Sequence, residues 1–170
     1  MAKKLFCVIS FILISTLFAH AQKHAIDFKG VTTDKSEFHL NTTLKDKYVL
    51  LNFTSNDCGY CWRIYPYLIK LQEEYKDQLV IICVHNMDSD TYENWEKSAK
   101  QFYRDNAQKI IDNELLTIWK ASYLCNDYSD PSKNGWPHFF LINRDGEIVK
   151  KWFGANEKKL ITNLEKELKR

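Results

Sequence analysis

Cys58 and Cys61 stand two residues apart in "SNDCGYCW", residues 55–62, between an apolar run and a segment with helical periodicity. Thiols at that spacing suit a redox couple, a small structural disulfide or half of a zinc site. Their position separates these readings. Cys58 falls where the apolar run ends and the helix begins, so its thiol meets unpaired backbone N–H groups and the positive end of a helix dipole. Both favour an anion. The thiolate is the nucleophile in disulfide exchange, and such placement brings a cysteine pKa from ~8.5 to somewhere in ~3.5–7.5. Cys61, one turn further in, is spaced to attack a mixed disulfide formed on Cys58. A purely structural Cys58–Cys61 bond would close a tiny loop and stabilise little, because the effect grows with loop length. Zinc would require two more ligands, usually a second closely spaced Cys/His pair. Only Cys83 and His85 offer themselves, on one face of a strand by alternation. The spacing suits a two-electron relay best.

The surrounding elements must hold that pair. Ile26–Thr33 and Glu37–Leu40 read as short leading strands. "KYVLLNFTS" and "QLVIICVHN" are apolar runs of strand length, rich enough to be buried on both faces of a sheet. Ile64, Leu68, Leu71 and Tyr75 recur along one face of a helix after the cysteines. Trp95, Ala99, Phe102 and Tyr103 predict a second helix, and Leu115–Tyr123 a third. "HFFLINRDGEIVKKWF" predicts a hairpin turning at Asn143–Gly146, with Asp-Gly as the turn signal. Asn156 is placed to cap a last helix that buries Leu160, Ile161, Leu164 and Leu168. This alternation is an α/β order, with helices covering a central sheet.

Residues 1–21 are expected to be a signal peptide. Lys3 and Lys4 precede an apolar stretch from Leu5 to Phe18, and Ala19-His20-Ala21 offers small residues for cleavage after Ala21. A membrane anchor would need about 20 apolar residues, which the stretch lacks. Cys7 lies inside it, away from the junction, so it is not read as a lipid-anchoring cysteine. Residues 22–170 are then one domain, long enough for a real core. Losing two lysines leaves 22 basic residues against 22 acidic ones. That balance implies neither nucleic-acid binding nor a polybasic membrane patch. The cysteines left are Cys58, Cys61, Cys83 and Cys125, too sparse for a disulfide-stapled mini-fold.

The segment Lys47–Lys158 resembles the thioredoxin superfamily, and within it the exported TlpA/ResA-like thiol–disulfide oxidoreductases. "LLNFTSNDCGYC" is similar to the family's strand-to-motif junction. Pro66, five residues after Cys61, matches the proline that bends the family's first helix. "GWPHFFLINRDGEIV" resembles the segment in which a cis-proline precedes a strand and an Asp-Gly hairpin, and the terminal helix follows in place. The resemblance implies a thioredoxin-like fold: a central mixed sheet flanked by helices, here with an N-terminal strand extension. It implies that Cys58 is the exposed nucleophile, Cys61 the buried resolving thiol, and the two a redox-active disulfide. Pro137 would be the cis-proline beside them. Trp136 would be the residue whose backbone pairs with an extended substrate peptide, a short form of strand addition.

Three positions depart from the family. Asp57 replaces the usual Trp before the first cysteine, and its charge opposes a thiolate on Cys58. Asn52 stands where cytosolic thioredoxins bury an Asp, and Ile64 where ResA-like members carry a Glu. The usual carboxylate proton acceptors near Cys61 are therefore absent. Gly59-Tyr60 resembles the dipeptide of periplasmic disulfide isomerases, but those enzymes add a dimerisation domain, for which Ala21 to Val49 is too short. The expectation is an exported, periplasmic or secreted, monomeric enzyme without bound cofactor. It would exchange disulfides with protein thiols as a reductant in redox homeostasis, reset by a membrane thiol-relay partner. Disulfide isomerase or oxidant chemistry is the alternative within the family. Outside it stands a non-catalytic module holding copper through Cys58, Cys61 and His138.

The other conspicuous residues have plainer readings. Cys83 is expected to be buried near Asn52 with a raised pKa, Cys125 to meet solvent, and the two to stay unpaired. His85 and His138 read as satisfied structural histidines, and Trp62 as surface or rim packing. Asn126, Asp127 and Asp130 lack the spacing of a calcium loop and read as a connecting or substrate-facing loop.

Overall fold

In a computed structural model of the chain, residues 24–124, Tyr128 and 134–169 are described. The expected signal peptide, Cys125, Asn126, Asp127 and Asp130 lie outside them.

Two long strands form the centre because each carries apolar side chains on both of its faces, not at alternate positions alone. β3 (Tyr48–Thr54) and β4 (Leu79–His85) run parallel, with Leu50 beside Ile81 and Asn52 beside Cys83. Leu50, Ile81, Cys83 and Leu79 face one core, which α2 (Gly59–Glu74), α3 (Tyr92–Tyr103) and α5 (Glu157–Leu168) cover with Leu68, Trp95, Leu160 and Leu164. Val49, Leu51, Phe53, Ile82 and Val84 face the other core, closed by Phe28, Phe38, Leu40, Leu44 and Tyr128. Period-two alternation with both faces covered is the reason for the near-continuous apolar runs.

The sheet has the order β5 (Leu116–Ile118), β4, β3, β6 (His138–Ile142), β7 (Ile148–Phe153). β6 returns antiparallel beside β3, and β7 antiparallel beside β6. The hairpin between them turns at Asn143, whose Oδ1 accepts the N–H groups of Asp145 and Glu147, with Gly146 at φ 80°. The N-terminal extension is an antiparallel pair, β1 (Lys29–Val31) with β2 (Glu37–His39), followed by the one-turn α1 (Leu40–Leu44). The expected first strand is thus shorter than Ile26–Thr33. The caps follow the sequence: Asn156 Oδ1 accepts Lys159 N–H at 2.9 Å, and Thr91 Oγ1 accepts Asn94 N–H at 3.3 Å.

One expected element is wrong in type. Leu115–Tyr123 is not a helix: β5 (Leu116–Ile118) runs parallel at the sheet edge beside β4, and Ser122–Leu124 makes a 3-10 turn. The β-branched pair Thr117-Ile118 and an open edge on β4 outweigh the helical spacing of the apolar residues. The helical turns fall earlier, in a 3-10 turn at Arg104–Asn106 and in α4 (Ala107–Ile111).

Candidate active site

β3 ends at Thr54, and α2 begins five residues later at Gly59. Cys58 N–H donates to Ser55 O at 3.1 Å, which tightens the turn, and Cys58 becomes the N-cap of α2. Its carbonyl accepts the N–H groups of Cys61 and Trp62 at 3.0 and 3.1 Å. Its sulfur lies 3.1 Å from Cys61 N, so one of the unpaired donors of the helix end points at the Cys58 sulfur. Cys58 and Cys61 are joined as a disulfide. Cys58 is half-buried, whereas Cys61 is 4% exposed among the core residues of α2. The two sulfurs therefore differ in access before any chemistry begins.

The second wall of the site comes from the loop before β6. Gly135 adopts φ 97°, a conformation that favours glycine, and the Trp136–Pro137 peptide is cis. Trp136 O lies 3.6 Å from Cys58 Sγ. The indole stacks on Phe53 with ring centroids 6.4 Å apart, and it meets His138 edge-on. Because His138 is in register with Phe53, β6 holds this loop against the end of β3. The sequence-derived site residues Cys58, Cys61, Trp136 and Pro137 thus meet in one place. His138 is buried and packs between Trp136 and Phe153, as expected for a structural histidine.

A latch behind the motif escaped the sequence reading. Asn56 N–H donates to Asp90 Oδ1 at 3.3 Å, Asn56 Nδ2 to Thr91 O at 3.2 Å, and Asn56 O accepts from Trp62 Nε1 at 2.9 Å. Asp90 Oδ2 lies 3.2 Å from His85 Nδ1, and both side chains are almost fully buried. Burial pushes the His85 pKa down, with the neighbouring Asp90 pulling it back. The loop ahead of Cys58 is therefore tied to the start of α3 and to the first turn of α2. Trp62 is correspondingly not at the rim. It is 5% exposed and packs against Tyr65, Trp95, Phe102 and Tyr103. Its spacing of three from the buried Tyr65 was the available signal.

The third described cysteine is of another kind. Cys83 is fully buried, and burial pushes its pKa up to about 12, against a lowering from Asn52 Nδ2 at 3.6 Å. Asn52 Oδ1 has no partner among the described residues. Ile64 is buried in the core, so an apolar side chain occupies the place of the family's glutamate. No group of three or more metal-ligating side chains occurs among the described residues.

A mixed sheet with a CxxC at the mouth of a helix and a cis-proline loop against it is a thioredoxin-like architecture. The thioredoxin domain of a thiol-disulfide oxidoreductase from Bacteroides vulgatus superposes with a TM-score of 0.65 at 23% identity, covering 86% of this chain and 96% of that one. The model of the Redoxin family matches residues 20–168, and the chain belongs to that family. It is 30% identical over 115 residues to the thiol-disulfide oxidoreductase ResA of Bacillus cereus, a stretch covering 68% of this chain and 60% of ResA. It is 23% identical over 118 residues to the chloroplastic protein SUPPRESSOR OF QUENCHING 1 of Arabidopsis thaliana, covering 68% of this chain and 10% of that protein. The ResA match meets the resemblance read from the sequence.

Proposed function

We propose that the protein is an exported thiol–disulfide oxidoreductase that exchanges disulfides with protein substrates through Cys58 and Cys61. The observation that carries this reading is the placement of Cys58 Sγ. It sits at a helix N-cap, reachable from solvent, bonded to a buried partner and 3.6 Å from the Trp136 carbonyl. In the reducing direction the Cys58 thiolate attacks one sulfur of a substrate disulfide, whose other sulfur leaves and takes a proton. Cys61, deprotonated in turn, attacks Cys58 Sγ and releases the second substrate thiolate. Two electrons pass to the substrate, and the Cys58–Cys61 disulfide remains. The Trp136 backbone offers its polar edge to an extended substrate segment during the exchange. A thiol-relay reductant, in the membrane or the periplasm, would return two electrons and two protons.

Export is supported by the charge, apolar and small-residue pattern of residues 1–21. Residues 22–170 act as one domain in this reading. Between His24 and Val49 the chain forms a hairpin and one helical turn packed on the sheet, not a dimerisation domain. That supports a monomeric reductant over a dimeric isomerase.

Insulin reduction driven by a dithiol tests the reading. Turnover should be abolished in Cys58→Ser, and Cys61→Ser should accumulate a mixed disulfide with its substrate. Stoichiometric Cu(I) retention without turnover would instead establish a metal-binding module. The equilibrium of the pair with glutathione tests direction: a potential near ~−270 mV identifies a reductant, and one near ~−120 mV an oxidant.

A further inference from the structure

Pro66 lies inside α2 and carries no N–H. The carbonyl four residues earlier, that of Trp62, therefore loses its regular intrahelical donor, and the proline ring presses it outward. Trp62 is buried, so a carbonyl orphaned there costs free energy unless another group pairs with it. The partner comes from outside the helix. The hydroxyl of Tyr103, the last residue of α3, donates to Trp62 O. Burial pushes the Tyr103 pKa up, so the hydroxyl keeps its proton.

Trp62 follows Cys61, whose N–H points at Cys58 Sγ from 3.1 Å. At the other end of α3, Asp90 and Thr91 hold Asn56, two residues before Cys58. The redox motif is thus gripped on both flanks by the two ends of one helix. We propose that Tyr103 is a positioning residue for the redox pair: it supplies the hydrogen bond that Pro66 removes, and so keeps Cys61 N–H aimed at Cys58 Sγ. This rests on the reading of Cys58 as the nucleophile. Without the tether the first turn of α2 loosens, and the Cys58 thiolate loses a donor. The reduced form is then disfavoured relative to the disulfide.

Four proteins test this: the unsubstituted chain, Tyr103→Phe, Pro66→Ala and Pro66→Ala/Tyr103→Phe. Two quantities are read, the pH midpoint of Cys58 alkylation and the equilibrium of the pair with glutathione. Tyr103→Phe should raise the midpoint and shift the equilibrium about threefold to tenfold towards the disulfide. In the Pro66→Ala background residue 66 regains an N–H for Trp62 O, and the same substitution should shift it less than about twofold. Equal shifts in both backgrounds, or none in either, overturn the proposal. So does a lowered melting temperature with both quantities unchanged, which would make Tyr103 a structural residue only. If Tyr103→Phe fails to fold, the double variant must fold, and its failure overturns the proposal as well. Neither readout requires turnover. Absence of insulin reduction in the unsubstituted protein would count against the oxidoreductase reading alone.

Discussion

Cys58 and Cys83 carry the same side chain, yet they occupy opposite environments. Cys58 stands at the mouth of α2, with a backbone N–H on its sulfur and a route to solvent. Cys83 stands in mid-strand between β3 and β5, with no exposure and the Asn52 amide 3.6 Å from its sulfur. A helix end presents unpaired donors that favour the thiolate, whereas a sheet interior has used its donors on neighbouring strands and excludes water. The difference teaches that reactivity here belongs to the backbone around the sulfur. The residue type only makes it available.

The contrast is tested most severely by exchanging serine or alanine for each sulfur. Cys58→Ser should lower insulin turnover by about a thousandfold or more, since the proposed exchange loses its nucleophile. Cys83→Ala should leave turnover within about twofold. A collapse of turnover in folded Cys83→Ala would break the comparison, because it would make Cys83 a second redox thiol.

Alkaline titration comes next in size. Burial pushes the Cys83 thiol up to about 12 in the folded chain, against an ordinary value of 9.0. Between those values the unfolded chain has lost the proton and the native chain keeps it. Cys83 therefore stabilises the fold below pH 9.0, and that contribution is lost as pH rises towards about 12. The slope is at most roughly 1.4 kcal/mol per pH unit. Denaturant unfolding of the unsubstituted protein and Cys83→Ala across this window measures the difference. A parallel pH dependence in the two proteins would contradict the assignment.

Breaking the latch behind Cys58 has a smaller effect. Asp90→Ala leaves the buried Asn56 N–H and His85 Nδ1 without their acceptor, at a cost of about 1–3 kcal/mol in stability. Turnover should fall with it, while alkylation of Cys83 in the native protein stays negligible. Equal exposure of both sulfurs in this variant would show that the two environments are not independently held.

The smallest effect is expected from Asp57→Asn. Removing an exposed carboxylate beside the proposed nucleophile should lower the pH midpoint of Cys58 alkylation by about half a unit, and less at high salt. An upward shift would mean that Asp57 supports the thiolate instead of opposing it.

Much of the site was legible along the chain. The helix carrying Ile64, Leu68 and Leu71, the buried strands, the hairpin and the Asn156 cap all rest on local periodicity or capping chemistry. Cys58 at a helix start followed from the same local pattern. The resemblance implied the cis peptide before Pro137, and the structure has it. Leu115–Tyr123 was misread because a three-residue edge strand carries little pattern of its own. Its type was settled by an open edge on β4, which local spacing does not display. Trp62 was misplaced because its burial depends on α3, thirty residues further on, folding Trp95 and Tyr103 over it.

The amino-acid order alone determined which residues can do chemistry and which elements carry them. Apolar runs, helical periods and a cysteine at a strand-to-helix junction are local properties, readable without knowing what lies opposite. Only the tertiary structure decided what each sulfur meets. The Trp136 carbonyl at Cys58, Asp90 behind Asn56, the Tyr103 hydroxyl on Trp62 O and Asn52 against Cys83 each join residues from different elements. Such contacts are set by packing, where buried polar groups must find partners from whichever element lies across from them.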